Sequence, residues 1–231
     1  MAFLPRVFDI LWQPDTLACI RLSFSTACVV MPMLAVCGVA LGYLLGRRQG
    51  QWISVVDFFV TLPLIFPPIA TGFLLLMLLG RRSMLGTFLH NVFGLEIIFS
   101  FWSIVLASFI AGMPLIVKQV QAAIRGETNR LIEASYVLGK TPATTFFRVV
   151  LPSIRKSIAI GLSLAFARSL GEVGITLMLG GNISGRTSTI SLEVYNAVFT
   201  GEYHRAFVLV FLLGTITLLL ICLTRRLAKE E

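Results

Sequence analysis

Residues 22–46 read LSFSTACVVMPMLAVCGVALGYLLG, a run without one charged side chain. At ~1.5 Å per residue a helix of that length exceeds the ~30 Å of hydrocarbon in a bilayer. Residues 58–80, 97–117 and 206–224 repeat the pattern, and a fifth run, 157–180, is interrupted only by Arg168 and Glu172. Each run is about twice the ~10 residues of a membrane β-strand, so the backbone polar groups must be satisfied within helices. The fold class is therefore an all-α integral membrane protein with about five transmembrane helices.

The composition agrees. Of 231 residues, 57% are hydrophobic and 13% charged, and the mean hydropathy is +0.90, which excludes an ordinary soluble domain. The first run lies behind MAFLPRVFDILWQPDTLACIR, too late for a cleaved signal, and reads as an uncleaved span. Within that leader, residues 5–20 mix Arg6, Asp9, Trp12 and Asp15 with apolar neighbours and read as a helix lying in the interface or, against that, as a sixth span. Cys19, Cys28, Cys37 and Cys222 lack metal-ligand spacing and read as packing residues, so no metal site is expected.

A net charge of +8 raises the possibility of a nucleic-acid partner; its distribution excludes one. Five spans put twelve basic residues on one side: Arg47 and Arg48, seven between Lys118 and Lys156, and Arg225, Arg226 and Lys229. The other side holds six: Arg6, Arg21, Arg81, Arg82, Arg186 and Arg205. The positive-inside rule then predicts the N-terminus outside, the C-terminus in the cytoplasm, and a cytoplasmic segment at 118–156.

Within the runs, Gly38, Gly42 and Gly46 form a small-residue ridge for close helix packing. Pro63, Pro67 and Pro68 in TLPLIFPPIATG each remove an amide donor, so this run must be kinked or broken with its freed carbonyls against protein or water. Two readings stand for Pro67 and Pro68: a structural kink, or the lining of a pathway. Arg168 and Glu172, one turn apart near mid-membrane, are costly there and must pair or face water. They are either an internal salt bridge or an element of an anion path or gate. Gly171, with Gly161, Gly174, Gly180 and Gly181, allows that helix to pack closely and bend. The polar outer stretch GNISGRTSTIS, 181–191, reads as a solvated loop or as a contact for a docked protein.

Between the third and fourth runs stands RLIEASYVLGKTPATTFFRVVLPS, residues 130–153, written for water. Leu131, Ala134, Val137 and Leu138 predict an apolar stripe on a helix over 127–138 that closes at Gly139. Thr141 and Pro142 predict the cap and first turn of a second helix, ended by Leu151–Pro152. Two short helices at a glycine elbow make a knob for another protein's groove. Gly139–Lys140–Thr141 mimics the tail of a phosphate-binding loop, but Ala134 stands where that loop needs glycine and Pro142 breaks the helix that must follow.

The knob's sequence, EASYVLGKTPATTFFRVVLP, resembles the cytoplasmic coupling loop of ABC-importer permeases, matching at Glu133, Ala134, Ser135, Leu138, Gly139, Leu151 and Pro152. Ser135 replaces the family's common second alanine and keeps a small residue there. LPLIFPPIATGFLLLMLLGRRSMLG and LAFARSLGEVGITLMLGGNISGRTSTISLEVYNAV resemble the molybdate-transporter permeases within that family. Tungstate and sulfate permeases share the pattern and remain alternatives. The resemblance implies a single type I permease domain over 1–231 in the inner membrane of a prokaryote, and a transport subunit that is not an enzyme. It implies no cofactor on this chain, since ATP and magnesium belong to the ATPase. The implied partners are a second copy, two ATPase subunits, membrane lipid and an extracytoplasmic molybdate-binding protein. An ion-gradient transporter would be expected to carry more acidic residues in its spans than Glu172, and a membrane enzyme would need more than His90 and His204.

Overall fold

A computed structural model describes residues 10–94 and 96–229, with side chains omitted at 93, 220 and 223–229. Every regular element among the described residues is a helix. In order they are α1 (Pro14–Arg47), α2 (Gln51–Ile65), α3 (Pro68–Leu79), α4 (Met84–Phe93) and α5 (Phe101–Ala123). A π-turn at Ile124–Thr128 joins α5 to α6 (Asn129–Val137). Then come α7 (Pro142–Ser153), α8 (Arg155–Leu170), α9 (Gly174–Gly180), α10 (Ile190–Phe199) and α11 (Tyr203–Lys229).

Among the described residues two helices are by themselves long and apolar enough to cross a membrane: α1, and the line from Phe101 to Val137 formed by α5 and α6. Counting α3 with α4, bent by 57°, and α7 with α8, bent by 68°, raises the number to four. The apolar runs and the helices therefore do not coincide. The run 22–46 begins eight residues early, because Pro14 at the first turn and Asp15 beside it start a helix that continues unbroken to Arg47. The expected interfacial helix thus merges into α1 over 14–20, and residues 5–9 lie outside the described residues. The run 58–80 divides between α2 and α3, 157–180 divides between α8 and α9, and 97–117 becomes a helix only at Phe101.

The core is built on the glycine ridge. A Cβ placed on Gly38 would lie 2.4 Å from Ile116 Cγ2; on Gly42, 2.6 Å from Val120 Cβ; on Gly46, 2.6 Å from Ile124 Cβ. Three α5 and π-turn side chains thus sit in seats that α1 leaves empty, and Ile116, Val120 and Ile124 are fully buried. Beside α1, α5 also takes α8: Gly161 receives the far end of Ile116, and Ser169 Oγ donates to the Ser108 carbonyl at 2.7 Å. Leu34, Leu45, Ile132, Val150 and Ile154 complete one cluster that reaches from the bundle into the knob.

The stretch 181–191 divides in two: Gly181 and residues 183–186 are exposed, as a solvated loop would be, and the rest of it turns inward from Thr187. Thr187, Ser188, Thr189, Ser191 and Glu193 are all buried, and α10 packs between α1 and α11. Its polar atoms are satisfied internally: Ser188 Oγ donates to Glu193 Oε1 at 2.7 Å, Arg205 donates to Glu193 Oε2 at 3.0 Å, and the Ile190 amide donates to Ser23 Oγ at 3.0 Å.

The ridge makes a direct prediction. Gly38→Leu drives a side chain into Ile116 and is expected to cost at least about 1–3 kcal/mol by overpacking. Gly214→Ala, which meets nothing within 4 Å, is expected to be neutral or to stabilise by up to about 1 kcal/mol through helix propensity. Thermal unfolding of the two detergent-purified variants checks both signs.

Candidate functional site

Two places gather the residues singled out above. The first is the knob, α6 and α7. Its elbow is a Schellman turn: Gly139 has φ of 70°, its amide bonds the Tyr136 carbonyl at 2.9 Å, and the Lys140 amide bonds the Ser135 carbonyl at 3.1 Å. Thr141 Oγ1 caps α7 by accepting from the Thr144 amide at 3.3 Å. Ser135 Oγ and Thr145 Oγ1 meet at 2.9 Å, buried between the two helices. Alanine at 135 could not make that bond, so the departure from the family pattern has a function within the knob.

The apolar stripe of α6 faces outward. Ile132 and Ser135 turn to the core, while Leu131, Ala134, Val137 and Leu138 are exposed, Val137 at 87% and Leu138 at 74%. Glu133 lies on the same exposed side, held by Asn129 Nδ2 at 2.9 Å, and Asn129 in turn accepts from Arg47 at the end of α1. Arg47 also covers the Tyr136 ring, and Tyr43 meets Phe146 edge-on. The knob is thus anchored to α1 by its inward side and offers its stripe and Glu133 outward. Leu151 packs on the core and Pro152 is exposed, and α7 ends one residue beyond this pair. The helix bulges at Phe146–Val150, which accommodates the proline, and stops after Ser153.

The second place is where two breaks meet. α2 gives way to α3 at Phe66–Pro67, and α8 gives way to α9 at Gly171–Val173. A Cβ on Gly174 would lie 2.8 Å from Pro68 Cβ and 2.8 Å from the Ile69 nitrogen, so the two breaks touch. One turn on, Gly72 faces Met178 and Ile175 as closely. Gly171 is uncrowded, its nearest such contact being 3.5 Å; Gly174 is the glycine that the close approach requires. Arg168 pairs with Glu172, whose side chain is 1% exposed against 30% for Arg168. The other Glu172 oxygen accepts from the Ile175 amide at 2.7 Å, capping the first turn of α9. Pro67, Pro68, Arg168, Gly171 and Glu172 therefore fall in one region, with the glutamate occupied and the guanidinium partly open.

Two polar clusters escaped the sequence reading. Glu193 with Arg205, Ser188 and Asn196 ties α10 to α11. Asp57, the only carboxylate between Asp15 and Glu96, accepts from Lys118 at 2.7 and 2.8 Å and from Gln121 at 3.1 Å. Its signal was a lone acid on an apolar helix beside a basic residue at the end of the next run. No group of three or more metal-ligating side chains occurs among the described residues.

Comparison with known proteins places this architecture. A permease protein of Clostridium pasteurianum, NifC, a probable transport system component, is 34% identical over 191 residues, covering 82% of this chain and 66% of its own length. The molybdenum transport system permease protein ModB of Escherichia coli is 37% identical over 163 residues, 71% of each chain. A bacterial alginate ABC transporter, solved with a pentasaccharide-bound periplasmic protein, contains a chain that superposes with a TM-score of 0.76 at 16% identity, covering 96% of this chain and 81% of that one. Residues 38–230 match the model of the binding-protein-dependent transport system inner membrane component, and the chain belongs to that family of membrane permeases.

Proposed function

We propose that this chain forms the membrane path of an ATP-driven importer that brings molybdate into the cytoplasm. The observation that carries the anion is the likeness to permeases of named molybdenum transport systems in several bacteria. In this reading two copies of the chain stand in the cytoplasmic membrane with the N-terminus outside, each knob seated on an ATPase subunit, and an extracytoplasmic binding protein delivers the anion. The exposed stripe of Leu131, Val137 and Leu138 beside Glu133 supports the docking role, because an apolar patch on a water-facing knob is stable only when covered. ATP draws the two ATPase subunits together, the knobs follow as rigid bodies, and the path turns outward; hydrolysis returns it.

The face of α8 supports the pathway. Ile160, Leu164 and Gly171 are exposed along it with Arg168 partly so. Lipid cannot cover a guanidinium at that depth, so this face looks onto water or a second copy. Glu172 leaves Arg168 nearly neutral overall, which lets an oxyanion pass without being trapped.

Uptake of labelled molybdate into vesicles holding the chain, its ATPase and its binding protein tests the docking role. Glu133→Arg and Val137→Asp are expected to release the ATPase and lower ATP-dependent uptake by at least about tenfold, the loss of ~1.4 kcal/mol at the contact. Uptake driven by a proton gradient without ATPase would sink the proposal, and competition by tungstate or sulfate in the same vesicles fixes the anion. A second measurement separates the two roles of Arg168. Arg168→Ala strands a buried carboxylate at a cost of about 3–5 kcal/mol and is expected to reduce the assembled transporter, which Arg168→Ala/Glu172→Ala recovers. Uptake that stays low in the recovered double variant assigns Arg168 to the path; full uptake makes the pair structural.

A further inference from the structure

α2 is loosely embedded in the bundle: none of its residues is fully buried. Trp52, Phe58, Phe59 and Ile65 are exposed, and its inward stripe is Ile53, Val56, Asp57, Val60 and Thr61. In the middle of that stripe, Asp57 receives Lys118 on both oxygens, at 2.7 and 2.8 Å, and Gln121 on Oδ1 at 3.1 Å. Lys118 and Gln121 sit on α5 just before the π-turn through which α5 continues into α6 of the knob. Thr61 Oγ1 returns to the Asp57 carbonyl at 2.6 Å, within the helix.

The position of this cluster matters more than its strength. The far end of α2 is the Phe66–Pro67 break, and α3 beyond it rests on α9 at Pro68 and Gly174. Without the cluster, α2 is held to α5 by three aliphatic side chains, a contact that can slide. The carboxylate, ammonium and amide are directional and fix both the depth and the rotation of α2 against α5. Both side chains are only partly exposed, 29% and 35%, so the link is in part shielded from water.

We propose that the Asp57–Lys118–Gln121 cluster is the joint by which movement of the knob is transmitted to the Pro67–Pro68 break. A shift of α6 moves the base of α5; the ion pair carries α2 with it; and α2, which stays helical past Pro63 to Ile65, displaces the proline break against Gly174. Asp57 is a positioning residue, remote from the transported anion. This inference rests on the proposed coupling to an ATPase.

The test uses the whole transporter, with its ATPase and binding protein, in vesicles where molybdate uptake and ATP hydrolysis are measured together. In Asp57→Asn and Lys118→Met the ATPase is expected to remain bound and to hydrolyse ATP, while molybdate moved per ATP falls about tenfold, within the range of ordinary coupling energies. The exchange Asp57→Lys/Lys118→Asp restores opposite charges across the same gap, and Gln121 can turn its carbonyl to the new ammonium. It is expected to return the ratio to within about threefold of the unmodified complex, a residual well under one coupling energy. A purely structural pair lowers the amount of assembled complex and leaves the ratio of anion to ATP unchanged in what assembles; that result overturns the joint alone. Failure of the exchange to raise the ratio likewise overturns it. An unmodified complex whose uptake ignores ATP overturns the joint together with the importer reading.

Discussion

A helix interrupted inside hydrocarbon leaves backbone groups without partners, and the arrangement of this bundle follows from how two such interruptions cover each other. The α8–α9 break frees the first amides of α9. Glu172 accepts one of them, from Ile175, and is buried in doing so. A buried carboxylate needs a cation, and Arg168 one turn back on α8 supplies it. The prolines of the other break have no amide to lose at Pro67 and Pro68, so that strand of chain can lie directly on Gly174, where no side chain intervenes. Capping, charge and close approach are three consequences of one requirement.

Around this point the bundle divides into a rigid and a loose part. α1, α5 and α8 interlock through Gly38, Gly42, Gly46 and Gly161 with no gap for sliding, and their shared cluster extends to Ile132 and Ile154 at the knob. α2 and α3 have one stripe each inside and broad apolar faces outside. Motions of low cost belong to elements with few buried contacts, which makes α2 and α3 the parts that can move against the scaffold. The two bulged turns at Ile124–Thr128 and Phe146–Val150 flank the knob where it joins α5 and α8, and such turns are frequent at functional sites.

What the sequence made legible was what local chemistry dictates. Charge-free length gave helices in lipid; Pro67 and Pro68 gave a break; Gly139 and Thr141 gave the elbow; and the motif from Glu133 to Pro152 gave the family. Hydropathy cannot see where a helix begins when the first turn is polar, so the part of α1 from Pro14 to Ile20 looked like a separate element. Nor can it see a buried hydroxyl network: Thr187, Ser188, Thr189 and Ser191 look solvated until Glu193 and Ser23 are found beside them. The Thr189 cap followed by an apolar periodicity through Ala197 was the available sign of α10. Asp57 stands out as a lone acid, but its partner lies 61 positions away, and nothing local joins the two.

The knob connects to the breaks by two lines of helix. One runs from α6 through α5, across Asp57 to α2, and so to Pro67; the other runs from α7 through α8 to Gly171. They meet where Pro68 touches Gly174. Helices are stiff along their axes, so a displacement of the knob that moves the two lines unequally must appear at that contact or be absorbed by bending. The 68° turn at Ile154 is packed, with Ile154 fully buried, and Ile132 and Val150 hold the knob to the same core. With bending disfavoured at the knob, the compliance lies at the other end, in the two broken segments. Pro68 on Gly174 and Met178 on Gly72 pack the two broken segments against each other, so they move as a pair, and their joined breaks are the place where movement at the knob can change the shape of the bundle.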